Sequence, residues 1–478
     1  MKNVVIMISD TLRRDHLGCY GNEWIRTPNI DRLARESFVF DNAYAASFPT
    51  VPNRCDVMTG QFTFIDFDWS PLPADKPVVS EALGEADYTT YFCVDTPHIA
   101  RAQQNFFRGF SGYDWVRGQE NDNWKTAPAD PVLPCAENKI RHSGVGTVRQ
   151  YIRNTSWWQG EEDTFPARTM QTAARWLEEN YKQPFFMYVD TFDPHEPFDP
   201  PEWYADLYAD PEYDGQVCYY PNYGPAEVYT EAELRHMRAL YAGEVSLVDT
   251  WVGYLLRRME QLGVLDETMV IMTTDHGFYL GEHGLTGKVL IQEEGTAICQ
   301  LYEEVAHIPL MIRMPGQRDE QRIAAYAQPP DLMPTILELT GAPDPGTMNG
   351  ASLLPVMSGE RASNRDIAIT TASLAHDPNG GRPVTITKGD WCLVHFGSPD
   401  APPVSHVTNI VDDTARQAVV VGEKIPAAEL YNLRDDPGQR KNVIGEHPDV
   451  AQELHVEHIR MLEKLGMEER YLQHRREL

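Results

Sequence analysis

Two aspartates and a histidine stand where apolar runs stop. Asp10 follows the run Asn3–Ser9, and the pair Asp275-His276 follows Met269–Thr274. Two hard oxygen donors and one imidazole nitrogen form a divalent-metal set, and direct Asp-His adjacency puts two ligands on one tight turn. The imidazole favours Mn²⁺ or Zn²⁺, with Ca²⁺ as a third candidate. A second cluster, Thr50-Val51-Pro52-Asn53-Arg54, opens an expected helix that Pro52 can start and Gly60 can end. Thr50 would then lie at the helix N-terminus, where free N–H groups and the dipole favour an anion. Arg54, one turn on along the same face, can clamp tetrahedral oxygens. A hydroxyl held there beside a metal is a candidate nucleophile.

His98 and His195 follow similar runs, in Asp95-Thr96-Pro97-His98 and Asp193-Pro194-His195. Short continuous apolar runs, rather than alternating ones, are what strands of a parallel sheet covered on both faces look like. Five segments fit: Asn3–Ser9, Thr89–Val94, Phe185–Val189, Met269–Thr274 and Ile308–Ile312. Helical patterns lie between them, over Asn29–Glu36, Ala167–Tyr181, Glu231–Leu262 and Asp331–Thr340. Thr27 reads as the N-cap of the first, with Pro28 at its first helical position. This alternation implies a doubly wound, mostly parallel α/β sheet, whose ligands bind beyond the carboxyl ends of the strands. Asp10, His98, His195, Asp275 and His276 all fall at such ends.

After about residue 360 the texture changes. Ile367–Thr371, Val384–Lys388 and Trp391–Phe396 alternate more, and a charged helix over Pro448–Leu465 follows. The expectation is a catalytic α/β domain over 1–360 and a smaller unit, an antiparallel sheet plus helix, over 361–478. Stretches 62–80, 105–165 and 198–228 read as loops around the site. Their Trp, Tyr and Phe suggest an apolar wall for a leaving group. The charged tail 467–478 could carry contacts of a homo-oligomer.

Composition narrows the partners. Acidic residues number 71 against 41 basic ones, a net charge of −30. That excludes nucleic-acid polymers, which need a basic face, and disfavours anionic membranes. A small anionic ester substrate stays open, because a pocket can be locally positive. No apolar run reaches about 18 residues, so no membrane-spanning helix is expected. Val4–Ile8 already reads as a core strand, which leaves no room for a cleavable leader. The seven cysteines are scattered and form no CxxC pair, which fits a reducing cytoplasm.

Several motifs together resemble the sulfatase family of the alkaline phosphatase superfamily. Ser9-Asp-Thr-Leu-Arg-Arg-Asp-His-Leu-Gly-Cys-Tyr-Gly21 resembles its opening strand and metal aspartate, and Thr27-Pro-Asn-Ile-Asp-Arg-Leu33 its first helix. Thr274-Asp-His-Gly277, Leu280-Gly-Glu-His-Gly284 and Gly287-Lys288 are similar to its second metal segment. Asp193-Pro-His195 resembles its substrate-histidine segment, and Glu429-Leu-Tyr-Asn-Leu433 with Asp436-Pro437 its C-terminal signature. The resemblance implies an alkaline-phosphatase-like fold and a hydrolase of sulfuric or phosphoric esters. His283 reads as structural.

Two departures shape the expected chemistry. The family pattern is Cys or Ser, any residue, Pro, any residue, Arg, then Thr-Gly further on. Pro52, Arg54, Thr59 and Gly60 fit it, but Thr50 stands where the family carries the residue converted to formylglycine. Threonine cannot form the aldehyde, so a threonine ester must be opened by water. Thr96 likewise replaces a sulfate-binding lysine, where phosphonate monoester hydrolases resemble this sequence. The resemblance therefore implies these roles: Asp10, Thr50, Asp275 and His276 hold one divalent ion and Thr50 attacks. Arg54 and Lys288 steady the transferring group, His195 protonates the leaving oxygen, and Thr96 and His98 bind substrate. The leading expectation is a hydrolase of phosphodiesters or phosphonate monoesters. The alternatives are a sulfuric ester hydrolase lacking formylglycine and a non-catalytic anion-binding metal protein.

Overall fold

The computed structural model describes residues 2–142, 144–292, 295–375, 377, 381–397, 405–408, 416–419 and 426–478. Its centre is an eight-stranded sheet. In chain order the strands are β1 (Asn3–Ser9), β2 (Phe38–Ala43), β4 (Thr89–Val94), β5 (Gly112–Trp115), β6 (Phe185–Thr191), β7 (Thr268–Thr273), β8 (Leu310–Arg313) and β9 (Gln321–Ala327). They lie in the order β9-β2-β8-β7-β1-β6-β4-β5. The strand β3 (Ser47–Phe48) belongs to a second sheet.

Successive side chains of the central strands feed opposite faces. Val5, Met7, Met187, Val189, Val270 and Met272 enter one core, and Val4, Ile6, Ile8, Phe186, Tyr188, Met269 and Ile271 the other. Both faces are therefore buried, which is why these strands are apolar without alternation. Helices α4 (Phe165–Asn180) and α5 (Glu231–Gln261) cover the first face. Helices α2 (Thr50–Thr59) and α6 (Leu332–Thr340) cover the second.

All pairings among β5, β4, β6, β1 and β7 are parallel, but β8 runs antiparallel to both β7 and β2. Its continuous apolar run had suggested another parallel strand. The reason lies in the connection. Among the described residues of 274–309 the only α-helix is the four-residue Glu303–Ala306, too short to be a crossover that carries the chain back to the far end. The first helix, α1 (Pro28–Ala34), does begin with proline, but Thr27 makes no side-chain cap. Instead Asp249 of α5 accepts from the backbone N–H groups of Asn29 and Ile30, at 3.0 and 2.7 Å.

The second sheet comprises β10 (Ala368–Ala372), β11 (Val384–Lys388), β12 (Trp391–His395) and β13 (Glu429–Asn432), in the order β13-β12-β11-β10-β3. Helix α7 (Pro448–Lys464) packs on β11 and β12. The strands from residue 368 onward pair antiparallel, but β10 takes β3 as a parallel edge partner, with Thr371 opposite Ser47 and Ala372 opposite Phe48. The chain thus leaves this sheet two residues before Thr50. Among the described residues no helix is long and apolar enough to cross a membrane.

Asp56 of α2 ties these parts together. Its fully buried carboxyl accepts from the Ser47 N–H (2.8 Å), the Ser47 hydroxyl (2.8 Å), the Thr63 N–H (2.9 Å) and the Thr63 hydroxyl (2.6 Å). Asp56→Ala strands four buried donors. It should lower unfolding free energy by about 2–4 kcal/mol in chemical denaturation, since each unsatisfied buried group costs roughly 1–3 kcal/mol.

Candidate active site and metal centre

The parallel register brings the strand ends level. Asp190 lies opposite both Ile8 of β1 and Val94 of β4, and Ile8 lies opposite Thr273 of β7. Asp10, Asp95-Thr96, Asp190 and Asp275 therefore emerge side by side. The turn at Asp10 is pinned by its neighbour. Thr11 takes φ +64°, a costly conformation for a β-branched residue, and its N–H donates to Asp275 Oδ1 at 3.0 Å.

Arg54 rises into this row from α2 and is fully buried. Its Nε and Nη2 donate to the two oxygens of Asp190, each at 3.0 Å. Its Nη1 donates to Asp275 Oδ2 and lies 3.1 Å from Asp10 Oδ2. Asp190 also accepts from the Thr96 hydroxyl (2.5 Å) and the Tyr188 hydroxyl (3.2 Å). The Thr96 proton is thus committed to the carboxylate that holds Arg54, and only its oxygen lone pairs remain for a ligand.

Three buried atoms around this row have no hydrogen-bond partner: Asp10 Oδ2, His276 Nε2 and Lys288 Nζ. His276 donates from Nδ1 to the Gly277 carbonyl at 3.0 Å, so Nε2 carries a lone pair. That lone pair faces Asp275 Oδ2 at 3.2 Å. Burial, with Lys288 and Arg54, pushes the imidazole down to about 3 against the pull of Asp275, so no proton bridges the two. Burial also raises Asp275, but Arg54, His276 and Lys288 outweigh it and hold that carboxyl low. Burial and Asp275 together drive Asp10 well up. Facing lone pairs and crowded carboxylates are what a cation relieves, and ligand atoms of Asp10, Asp275 and His276 lie within 4.8 Å of one another. These residues fit a divalent ion.

Thr50 opens α2 and is 2% exposed. Its neighbours press on the metal turn: the Phe48 ring lies 5.1 Å from that of His276, and Asn53 Nδ2 donates to the Asp275 carbonyl at 3.0 Å. Lys288 follows the short strand Leu285–Gly287, with Nζ 3.8 Å from Asp10 Oδ1. His283 turns aside, its Nε2 3.1 Å from Glu304 Oε2.

The second set of residues lies next to Lys288, which acts electrostatically on both sets. His195 donates from Nδ1 to the Glu196 carbonyl at 2.8 Å, so its Nε2 is an acceptor. Burial and Lys288 hold this imidazole well below its ordinary value. Without a neighbouring anion the His195 ring is therefore neutral, with Nε2 as its free nitrogen. His98 opens the four-residue helix α3 (Pro97–Ala100), with Nε2 3.5 Å from Glu120 Oε1. Arg141 spans Glu120 and Glu196 at 3.1 and 3.2 Å and lies over the Tyr220 and Tyr223 rings. The loops expected to give an apolar wall thus bring charged groups, Glu120 and Arg141, together with the Trp69, Tyr220 and Tyr223 rings. Asp190, Glu120, Arg141, Glu196, Tyr220 and Tyr223 escaped the sequence reading. Only Asp190 carried a signal, as one more acid at a strand end.

Acids level at the ends of a doubly wound, mostly parallel sheet, with a guanidinium among them, define an alkaline-phosphatase-like hydrolase. The chain belongs to the sulfatase family, whose family model matches residues 2–342. An arylsulfatase of Clostridium perfringens is 24% identical over 82% of this chain and 85% of that protein. The multifunctional alkaline phosphatase superfamily protein PehA of Trinickia caryophylli is 25% identical over 76% of this chain and 78% of its own. Among solved structures, the phosphonate monoester hydrolase of Agrobacterium radiobacter superposes with a TM-score of 0.72 at 20% identity, covering 97% of this chain and 95% of that one.

The metal fit predicts a stability gain. Mn²⁺ at a hundredfold excess over its Kd should add about 2.7 kcal/mol to unfolding free energy, and Asp275→Asn should abolish that gain in melts with and without chelator. The charged wall predicts a pH slope. Burial lifts Glu196 to about 7, against Arg141, from an ordinary value of 4.5. Between those values the folded chain holds a proton the unfolded chain has lost. This contribution is complete below about pH 4.5 and disappears as pH rises through about 7. Urea unfolding from about pH 5 to 7 should show a shallower fall in stability for Glu196→Gln than for the parent.

Proposed function

We propose that the chain is a metal-dependent hydrolase of phosphonate monoesters or phosphodiesters, with Thr50 as nucleophile. The observation that supports this reading is a buried threonine at the N-terminus of α2, flanked by Phe48 and Asn53, which touch the His276 ring and the Asp275 carbonyl. A threonine cannot cycle through an aldehyde, so its ester must be opened by water attack on the central atom. Two successive displacements at phosphorus meet that requirement.

Charge supports the substrate class. With a cation offsetting what raises Asp10, the carboxyls of Asp10, Asp190 and Asp275 would contribute three negative charges, and Arg54 and Lys288 two positive ones. One bound divalent ion brings this set to a single net positive charge, which one monoanion neutralises. Phosphodiesters, phosphonate monoesters and sulfate esters are monoanions; phosphomonoesters at neutral pH are largely dianions. Asp10, Asp275 and His276, with Thr50 as a further proposed ligand, would hold a divalent ion, which would supply Lewis-acid stabilisation of charge on the transferring group.

The chain's own residues do the rest. Arg54, immobilised by Asp190, keeps the first turn of α2 and its hydroxyl fixed. Lys288, whose ammonium has no hydrogen-bond partner, offers its protons to a non-bridging oxygen. In the first step the Thr50 oxygen forms a bond to phosphorus as the bond to the leaving oxygen breaks. The Thr50 hydroxyl releases its proton on attack, and one proton is taken up by the leaving oxygen, delivered by His195 Nε2 once the bound anion favours the protonated ring. In the second step water replaces Thr50 at phosphorus and the threonine hydroxyl is regenerated. Arg141, Glu120 and Glu196 give the leaving group a polar, hydrogen-bonding surround.

A second reading, sulfuric ester hydrolysis, is favoured by family membership and the arylsulfatase relative. Metal-reloaded protein tested on aryl phosphodiesters, phosphonate monoesters, phosphomonoesters and aryl sulfates separates the two. Faster turnover of aryl sulfates than of both phosphorus monoanions would reject the phosphorus reading. Thr50→Ala should lower kcat by at least about 10³-fold even at saturating metal, while Thr50→Ser retains turnover. Full activity in Thr50→Ala would remove Thr50 from the reaction under either reading.

A further inference from the structure

Three histidines meet outside the catalytic centre, in the core of the C-terminal unit. His395 ends β12, and His455 and His458 lie one turn apart on the same face of α7. All three are buried, His458 completely. Their rings meet edge to edge, with centroids 4.7, 6.0 and 6.2 Å apart. Ring nitrogens from the three lie within 4.8 Å of one another.

The hydrogen bonds set the direction of the lone pairs. His395 Nε2 is 2.9 Å from the Glu477 carbonyl, and His455 Nε2 is 2.8 Å from the Arg475 carbonyl. A carbonyl only accepts, so both Nε2 atoms carry the proton and both Nδ1 atoms are bare. His395 Nδ1 has no partner, and neither nitrogen of His458 has one. Buried nitrogens without partners are rare, and here they converge. Burial lowers all three imidazoles, His395 to about 3, and a metal ligand must be neutral. The nearby Arg475 is ion-paired with Asp377, so its charge is balanced.

We infer that His395, His455 and His458 form a second metal site, for one Zn²⁺ ion, that clamps the C-terminal tail to β12 and α7. The donor set is all imidazole with no carboxylate, which selects Zn²⁺ and its first-row neighbours over Mg²⁺, Ca²⁺ or Mn²⁺. A backbone carbonyl on the distal nitrogen of two ligands is the outer-shell arrangement that orients histidines on zinc. Zn–N bonds of about 2.0–2.1 Å require nitrogens about 3.4 Å apart, so the cluster closes by rotation of the His458 ring, which no hydrogen bond holds. His395 also lines a cavity of about 450 Å³ with Phe396, Ala428, Ala451 and Leu478, which provides an entry path.

The test uses the full chain without affinity-tag histidines, carrying Asp275→Asn so that the catalytic ligand set is broken. Elemental analysis after equilibration with Zn²⁺ should find an equivalent that His458→Phe removes. Co²⁺ should give the visible ligand-field bands of a low-coordinate nitrogen site, lost in His455→Gln. Should His458→Phe fail to fold, the Co²⁺ spectrum of the Asp275→Asn chain decides. Absence of those bands, or a zinc content that His458→Phe leaves unchanged, would overturn the inference.

Discussion

One buried guanidinium stands among three buried carboxylates, and the architecture around it follows from that imbalance. Arg54 satisfies Asp190 in bidentate fashion and still reaches Asp10 and Asp275. Breaking such a pair would leave an uncompensated charge in a dry core, at a cost of about 3–5 kcal/mol. The carboxylates must therefore arrive together, and only a parallel register delivers aspartates from β1, β6 and β7 to one level. Even so, one positive charge does not balance three negative ones. Lys288 on one side and the unpartnered atoms of Asp10 and His276 on the other mark where the remaining charge belongs.

The same imbalance explains what was legible in the sequence. Strands buried on both faces must be apolar throughout, so β1, β4, β6 and β7 stand out as continuous runs, and an acid ending such a run is conspicuous. Asp10, Asp275 and His276 were readable for that reason, and so was the helix from Thr50 to Gly60, whose last residue takes φ +66°. Asp190 had the same signature, but its role lies in the Arg54 contact, and a pairing across more than a hundred residues leaves no local trace. Glu120, Arg141, Tyr220 and Tyr223 come from loops without periodicity, so nothing in their spacing marked them. The antiparallel β8 was misread because burial, not strand direction, determines apolar continuity. Thr27 was read as a cap because its type suits one, whereas Asp249 from a distant helix does the capping.

His195 illustrates how environment overrides residue type. Histidine ordinarily titrates near neutrality, which suggested an acid. Burial beside Lys288, with Nδ1 donating to the Glu196 carbonyl, makes the free nitrogen an acceptor. An anionic substrate entering beside it would favour the protonated ring, the form that could donate to a departing oxygen in the proposed reaction. The acidic surface and the positive pocket are compatible for a related reason. The net charge of −30 belongs to the whole chain, whereas on the proposed function a substrate would meet only the bound cation, Lys288 and the N-terminus of α2.

The proposed threonine nucleophile would also place a demand on the smaller sheet. A formylglycine hydrate is destroyed and remade chemically, but a threonine must be presented in line twice, to the ester and then away from water. Position is then the main catalytic resource. Thr50 is held from both directions along the chain. Before it, Ser47 and Phe48 form the edge of the sheet built by β10 to β13. After it, α2 packs beneath the central sheet and sends Arg54 to Asp190. Asp56 joins the two halves by gripping Ser47 and Thr63. Strands from beyond residue 360 thus support the catalytic loop through β3. Whatever steadies β12 and α7 steadies the sheet on which the approach to Thr50 rests.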